Sequence, residues 1–155
     1  MIRKAIKLVM ILIWMGLIFM FSNDSATIST KKSDGVIVSS AQFFMRRQLN
    51  DKEKEQIINI LVVPVRKCAH FTLYLILGLL VFGFLKEFGI SWYKVLLITI
   101  GICFLYSCSD EVHQLFIPGR SCEIFDVFID TMGSFVGSLL YFGISKLLNK
   151  EKIYE

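Results

Sequence analysis

Several common catalytic signatures are missing from this 155-residue chain. It has no Cys-x-x-Cys pair, no His-Glu-x-x-His segment, no Gly-x-Ser-x-Gly elbow and no Gly-x-x-x-x-Gly-Lys loop. Those absences argue against a structural zinc knuckle, a zincin protease, an α/β-hydrolase nucleophile and a phosphate-binding P-loop. No basic face on a soluble domain is visible, which sets nucleic acid aside as a partner. No internal repeat supplies the paired halves that alternating-access transport uses, which argues against a transporter. The four cysteines, Cys68, Cys103, Cys108 and Cys122, lie among apolar or helical neighbours and read as small buried hydrophobes. A disulfide among Cys68, Cys108 and Cys122 is the alternative if their end of the protein faces an oxidising compartment.

Apolar side chains are abundant. Hydrophobic residues make up 55% of the chain, with 14 Phe, and mean hydropathy is +0.63. Soluble domains hold about 45 to 50% apolar residues, so the composition indicates an integral membrane protein. Four spans of about 20 residues and their connections use up the length, leaving one all-α membrane domain over residues 1–155 and no separate soluble domain.

Arg3, Lys4 and Lys7 precede an apolar run from Leu8 to Phe21. The exit Ser22-Asn23-Asp24-Ser25-Ala26 offers no Ala-x-Ala-like cleavage site, so the spacing predicts an uncleaved first span at about 4–22. Residues 22–66 form a long connection. Within it, Val36, Ile37, Ser40, Phe43, Phe44, Arg46 and Arg47 predict one short amphipathic helix, and Glu53 to Val63 predict a second. Both fit either the membrane surface or a cover over the ends of the spans. Pro64 is expected to end that segment, with a second span at 67–86, a third at 92–110 and a fourth at 123–147. Lys146, Asn149, Lys150 and Lys152 mark the last exit. Pro118-Gly119 supplies the fixed φ and the positive φ of a type II turn, which makes the third and fourth helices an antiparallel pair.

Charge then appears where it is costly. An ionisable side chain deep in a bilayer costs about 2.5 to 3.5 kcal/mol even on a lenient insertion scale, so such residues face partners or water and mark function. Arg66, His70 and Tyr74 share one face of the second span at steps of four, while Lys67 reads as a headgroup contact. At the end of the third span Asp110 and Gln114 share a face; Glu111 and His113 are rotated from it by about 100° and about 300°. On the fourth, Asp126, Asp130, Gly133 and Gly137 step by four, three and four along one stripe, where the glycines admit a neighbouring backbone.

With the N-terminus in the cytoplasm, the inner segments hold Arg3, Lys4, Lys7, Lys86, Lys94, Lys146, Lys150 and Lys152, and the short outer connection holds only Arg120. This asymmetry predicts a multi-pass protein with both termini cytoplasmic, although the long loop carries cations of its own. Arg66, His70, Asp110, Glu111, Gln114, Arg120, Asp126 and Asp130 would then cluster at the outer face, with Tyr74 a turn deeper.

Three segments in order carry a resemblance: Arg66-Lys67-Cys68-Ala69-His70-Phe71, Ser109-Asp110-Glu111-Val112-His113-Gln114-Leu115-Phe116-Ile117-Pro118-Gly119-Arg120, and Asp126-x-x-x-Asp130-x-x-Gly133-x-x-x-Gly137. Together they resemble the VanZ-like family, which is named for a teicoplanin-resistance membrane protein. The resemblance covers the second to fourth spans and the Phe21-Ser22 exit of the first. It implies a polytopic membrane protein that, in some members, lowers susceptibility to glycopeptides bearing a lipid tail; it implies no reaction. Asp130 stands where many members carry Asn, so a polar side chain rather than a charge is what the resemblance requires there.

The residues themselves carry the mechanism. Asp110, Glu111, Asp126 and Asp130 outnumber Arg66 and Arg120, so one Asp is protonated, His70 is cationic, or a ligand cation is held. Three readings follow. In the first, Arg66 and Arg120 grip the phosphate of a lipid headgroup or lipid-linked cell-wall precursor, within a ligand set of Arg66, His70, Tyr74, Asp110, Glu111, Gln114, Arg120, Asp126 and Asp130. In the second, the protein is an intramembrane enzyme on a lipid-linked substrate, with catalytic candidates His70, Asp110, Glu111, Asp126 and Asp130. In the third, the cluster is a structural clamp in a membrane scaffold. His70, Asp110, His113 and Asp126 are metal-ligand types, but carboxylate–arginine pairing accounts for them more simply, so neither a metal nor another cofactor is expected.

Overall fold

The computed structural model describes residues 2–151, and these form helices and short connections with no strand among them. Five α-helices follow in order: α1 (Ile2–Ser22), α2 (Ala26–Met45), α3 (Asp51–Leu85), α4 (Trp92–Gln114) and α5 (Ile124–Glu151). All but α2 are long and apolar enough to cross a membrane. Of the residues expected to mark the last exit, Lys146 is described, whereas Lys152 and the side chains of Asn149 and Lys150 lie outside the described residues.

α1 has 21 residues, which at 1.5 Å per residue is about 30 Å, the thickness of a hydrocarbon core. Ile11, Ile18 and Ser22 are buried along one stripe, and Leu12, Ile13 and Phe19 face outward, as lipid-facing side chains do. The long connection is more helical than its sequence predicts. α2 starts at Ala26, ten residues before the expected amphipathic helix, and stops at Arg46, which takes the left-handed conformation (φ 51°). The second expected helix is the first third of α3. Asn50 accepts a hydrogen bond from Glu53 N, and Glu53 Oε2 accepts one from Asn50 N, a capping box that fixes where α3 begins.

Pro64 does not end this segment, contrary to expectation, and lies inside the 35-residue α3. Its ring removes one donor, the one that would reach Ile60 O, and crowds that carbonyl. Pro64 and Val63 are both on the exposed side of the helix, where the freed carbonyl is not trapped in the core.

α3 is the central helix, and α5 lies directly on it. A Cβ on Gly133 or Gly137 would run into the Phe71 and Leu75 carbonyl oxygens of α3, and one on Gly78 would meet the backbone of Ser134. Side chains are therefore absent where the two backbones touch. Tyr74, Leu77 and Val81 of α3, Ile11 and Ile18 of α1 and Cys103 of α4 form the apolar core. At one end Lys7 of α1 donates to Gly83 O at 2.9 Å and pairs with Glu87, which also meets Arg3 at 2.8 Å. At the other end Ile117-Pro118-Gly119-Arg120 closes the α4–α5 connection as expected, with Gly119 at φ 77° and Arg120 N bonded to Ile117 O at 3.1 Å.

Candidate functional site

The end of the bundle that carries this turn gathers the polar residues in three tiers. The deepest is built on Asp130, which is fully buried on α5. Its Oδ2 accepts from Ser107 Oγ of α4 at 2.7 Å, and its Oδ1 lies 3.4 Å from His70 Nδ1 of α3, an ion-pair distance without hydrogen-bond alignment. Tyr74 is buried one turn deeper, its ring 6.1 Å from that of Tyr106, whose hydroxyl donates to Met15 O at 2.7 Å.

The middle tier consists of Asp110, Glu111 and Gln114, all buried at the end of α4. Gln114 Nε2 donates to Glu111 Oε1 at 3.1 Å, and Gln114 Oε1 accepts from Arg120 Nη1 at 3.2 Å. Glu111 Oε2 crosses to accept from Glu123 N at 2.8 Å, placing a carboxylate at the positive end of α5. Arg120 also donates from Nε to Asp24 O at 3.2 Å and from Nη2 to Phe21 O at 3.4 Å, which pins the α1–α2 turn onto the α4–α5 turn.

The outer tier is an ion-pair cluster. Lys67 Nζ meets Glu123 Oε2 at 2.6 Å and also pairs with Asp126 Oδ1. The Lys67 ammonium, hydrogen-bonded to Glu123, holds that carboxyl below the usual carboxylate range. Lys67 thus belongs to the cluster and is not a free headgroup contact, a correction that follows from its 100° offset from Arg66, which turns it towards the start of α5. The cluster now holds Arg66, Lys67 and Arg120 against Asp110, Glu111, Glu123, Asp126 and Asp130, so Lys67 and Glu123 enter together and the shortfall of positive charge persists.

Beside these tiers a cavity of about 580 Å³ opens between α1, α2 and α3. Arg66, His70, Asp110, Arg120, Asp24 and Lys32 line its polar end; Trp14, Ile18, Val36, Leu73 and Ile76 line the rest. Among the described residues Arg66 makes no salt bridge, although it is half-buried. Burial, and then the neighbouring Arg66 charge, push the Arg120 guanidinium below its ordinary pKa. A guanidinium stays protonated regardless, so two like charges are held at one cavity mouth. Asp110 and Ser22, both buried, face each other at the same place, the Ser22 hydroxyl beside the Asp110 carboxyl.

Of the site residues expected from sequence, Arg66, His70, Asp110 and Arg120 line the cavity, whereas Tyr74, Glu111, Gln114, Asp126 and Asp130 stand behind it as supports. His113 is turned away, its ring centroid 4.6 Å from that of Phe19. Among the described residues no three His, Cys, Asp or Glu side chains are placed to hold a metal ion. Cys103 is buried, but Cys68 and Cys122 are exposed, contrary to the expectation of buried small hydrophobes. Cys68 lines the open cavity, and Cys122 lies in the α4–α5 connection. Sequence reasoning missed Ser107, which its spacing of three and seven from Asp110 and Gln114 could have placed on their face. It also missed Trp14, Ser22 and Lys32, for which no spacing signal exists because they come from other helices.

The chain was compared with known proteins. No curated protein and no solved structure matches it. The family model described as VanZ/LLP1 matches residues 7–148, and the chain belongs to that family.

Proposed function

We propose that this membrane protein of the VanZ/LLP1 family binds the phosphate of a membrane lipid or lipid-linked envelope precursor between Arg66 and Arg120. The observation that carries the reading is Arg66, a half-buried guanidinium at a cavity mouth with no salt bridge among the described residues, beside a second guanidinium. Two arginines without a shared carboxylate form a bidentate anion receptor, and charge-assisted bonds to phosphate are the strong class. Arg120 is aimed by Gln114, which Glu111 holds in turn, so the carboxylates behind the mouth orient the cation and leave its charge for a ligand.

The basic residues at the far end support a placement with both termini in the cytoplasm and the arginines at the outer face. There the site would meet lipids that carry cell-wall precursors, and its occupancy would lower susceptibility to teicoplanin-type drugs that use a lipid tail. The test is equilibrium binding of hexadecyl phosphate by the protein in phosphatidylcholine nanodiscs. Each charge-assisted contact contributes about 1.5 to 3 kcal/mol, so Arg66→Ala and Arg120→Ala should each weaken binding about 10- to 100-fold. Full affinity in both variants sinks the reading.

A second reading is favoured by the His70–Asp130 contact, since a carboxylate behind a cavity-lining imidazole is how a general base is oriented. In that reading the same site turns over its lipid-linked substrate. Product release that His70→Gln abolishes, while hexadecyl phosphate binding persists, would distinguish it from binding alone.

A further inference from the structure

We propose that the cavity between α1, α2 and α3 takes the hydrocarbon chain of the bound lipid, and that the ligand is therefore a single-chain phosphate amphiphile. This rests on the phosphate reading above and adds to it a site between α1 and α3. The cavity starts at Arg66 and Arg120 and reaches Trp14, eight residues before Ser22 on α1, and Ile76, ten residues after Arg66 on α3. Those steps correspond to about 12 to 15 Å along each helix.

Between the arginines and the floor the wall is formed by Ile18 and Leu73, with Thr72 beside them, its hydroxyl spent on Cys68 O at 2.8 Å. At the floor the indole Nε1 of Trp14 already donates to Leu73 O at 2.9 Å. Its hydrogen is spent, so the floor offers a ligand no polar partner and suits a hydrocarbon tail, not a second headgroup.

Size decides between one chain and two. If each methylene-sized group takes about 30 Å³, the share of one water molecule in the liquid, a cavity of about 580 Å³ holds on the order of twenty groups. One long chain fits within that, and two chains of sixteen or more carbons do not. The cavity is half-open, and an open apolar cleft beside a bilayer has one abundant filler, a lipid chain. At the mouth the arginines take the phosphate.

Trp14 is a native reporter of the chain. The other tryptophan, Trp92, stacks on Phe142 with ring centroids 5.1 Å apart at the start of α4 and is exposed, so its quenching by amphiphile in the bilayer is measured in Trp14→Phe and subtracted. The experiment titrates dibrominated hexadecyl phosphate into the protein in phosphatidylcholine nanodiscs and reads tryptophan quenching, with Trp14→Phe as the baseline. Saturable quenching is expected in the wild type, with a midpoint at least 10-fold higher for dibrominated two-chain phosphatidate. Ile76→Phe and Leu73→Phe, which narrow the inner part of the cavity from α3, should each raise the midpoint at least 10-fold. Unbrominated hexadecyl phosphate and geranylgeranyl phosphate, added as competitors, assign the chain as alkyl or isoprenoid by which displaces the quencher at lower concentration.

Equal quenching by brominated phosphatidylcholine would show that bulk lipid fills the cavity and overturn the proposal. Equal midpoints for one- and two-chain phosphates, or no quenching of Trp14, would also overturn it. Failure of the phosphate reading looks different: Arg66→Ala would then leave the hexadecyl phosphate midpoint unchanged while the chain still quenched Trp14. Conversely, butyl phosphate that raises the melting temperature only when Arg66 is present, with no bromine quenching, would leave the phosphate site standing and remove the chain site.

Discussion

Gly137→Ala should separate the two helices on which the polar tiers are built. The added Cβ would overlap the Leu75 carbonyl oxygen of α3 and also come within 3.1 Å of Leu79 N. Ordinary contact needs 3.4 to 4 Å, and the obstacle is backbone, so α5 has to move off α3 by more than an ångström. Overpacking of this kind costs about 1 to 3 kcal/mol. Asp130 lies two helical turns before Gly137 on the same stripe, so the same movement lengthens its 3.4 Å approach to His70. Gly143→Ala is the internal control, because a Cβ at Gly143 meets nothing within 4 Å and Ala favours a helix by up to about 1 kcal/mol. Thermal unfolding in detergent, followed by size-exclusion recovery, should show Gly137→Ala clearly destabilised and Gly143→Ala neutral or slightly stabilised. Equal recovery curves for the two variants would refute the close α3–α5 contact and, with it, the placement of Asp130.

Further expectations concern individual contacts. Pro64→Ala should raise thermal stability, since it restores a donor to Ile60 O within a continuous helix and removes a ring that costs about 3 kcal/mol in helix interiors; lower recovery on heating would contradict a helix running through residue 64. The Lys67–Asp126 pair is partly solvated, so a double-mutant cycle of Lys67→Met and Asp126→Asn should give a coupling of about 1 kcal/mol, and additivity would dissolve the outer tier. Glu123 has its folded pKa depressed by Lys67, so its contribution is present above the ordinary value of 4.5 and is lost as pH falls through the lower folded value. Glu123→Gln should therefore flatten the acid limb of the stability profile below that pH, and an unchanged acid limb would contradict the contact.

The sequence made some of this legible because helical periodicity is a local property. Asp126, Asp130, Gly133 and Gly137 fall on one stripe by spacing alone, and the close passage of α5 over α3 follows from those two glycines. Pro118-Gly119 announced its turn through the φ values the two residues favour. Lys67 was harder, because whether a cation meets lipid or a carboxylate depends on which helix lies 100° around from Arg66. Pro64 misled for another reason: its cost in a helix depends on whether the freed carbonyl is trapped or exposed, and sequence does not show exposure. The cavity was invisible altogether. Trp14, Lys32 and Ile76 come from three helices, and no periodicity in one segment registers a space that others enclose.

The central claim is that Arg66 and Arg120 hold a lipid phosphate, and the most direct measurement is the lipid that the protein carries through purification. Native mass spectrometry should find a phosphate-bearing anionic lipid bound to the wild type and lost from the Arg66→Ala, Arg120→Ala double variant, with the variant still monodisperse. The same lipid retained at the same occupancy in that variant would contradict the account.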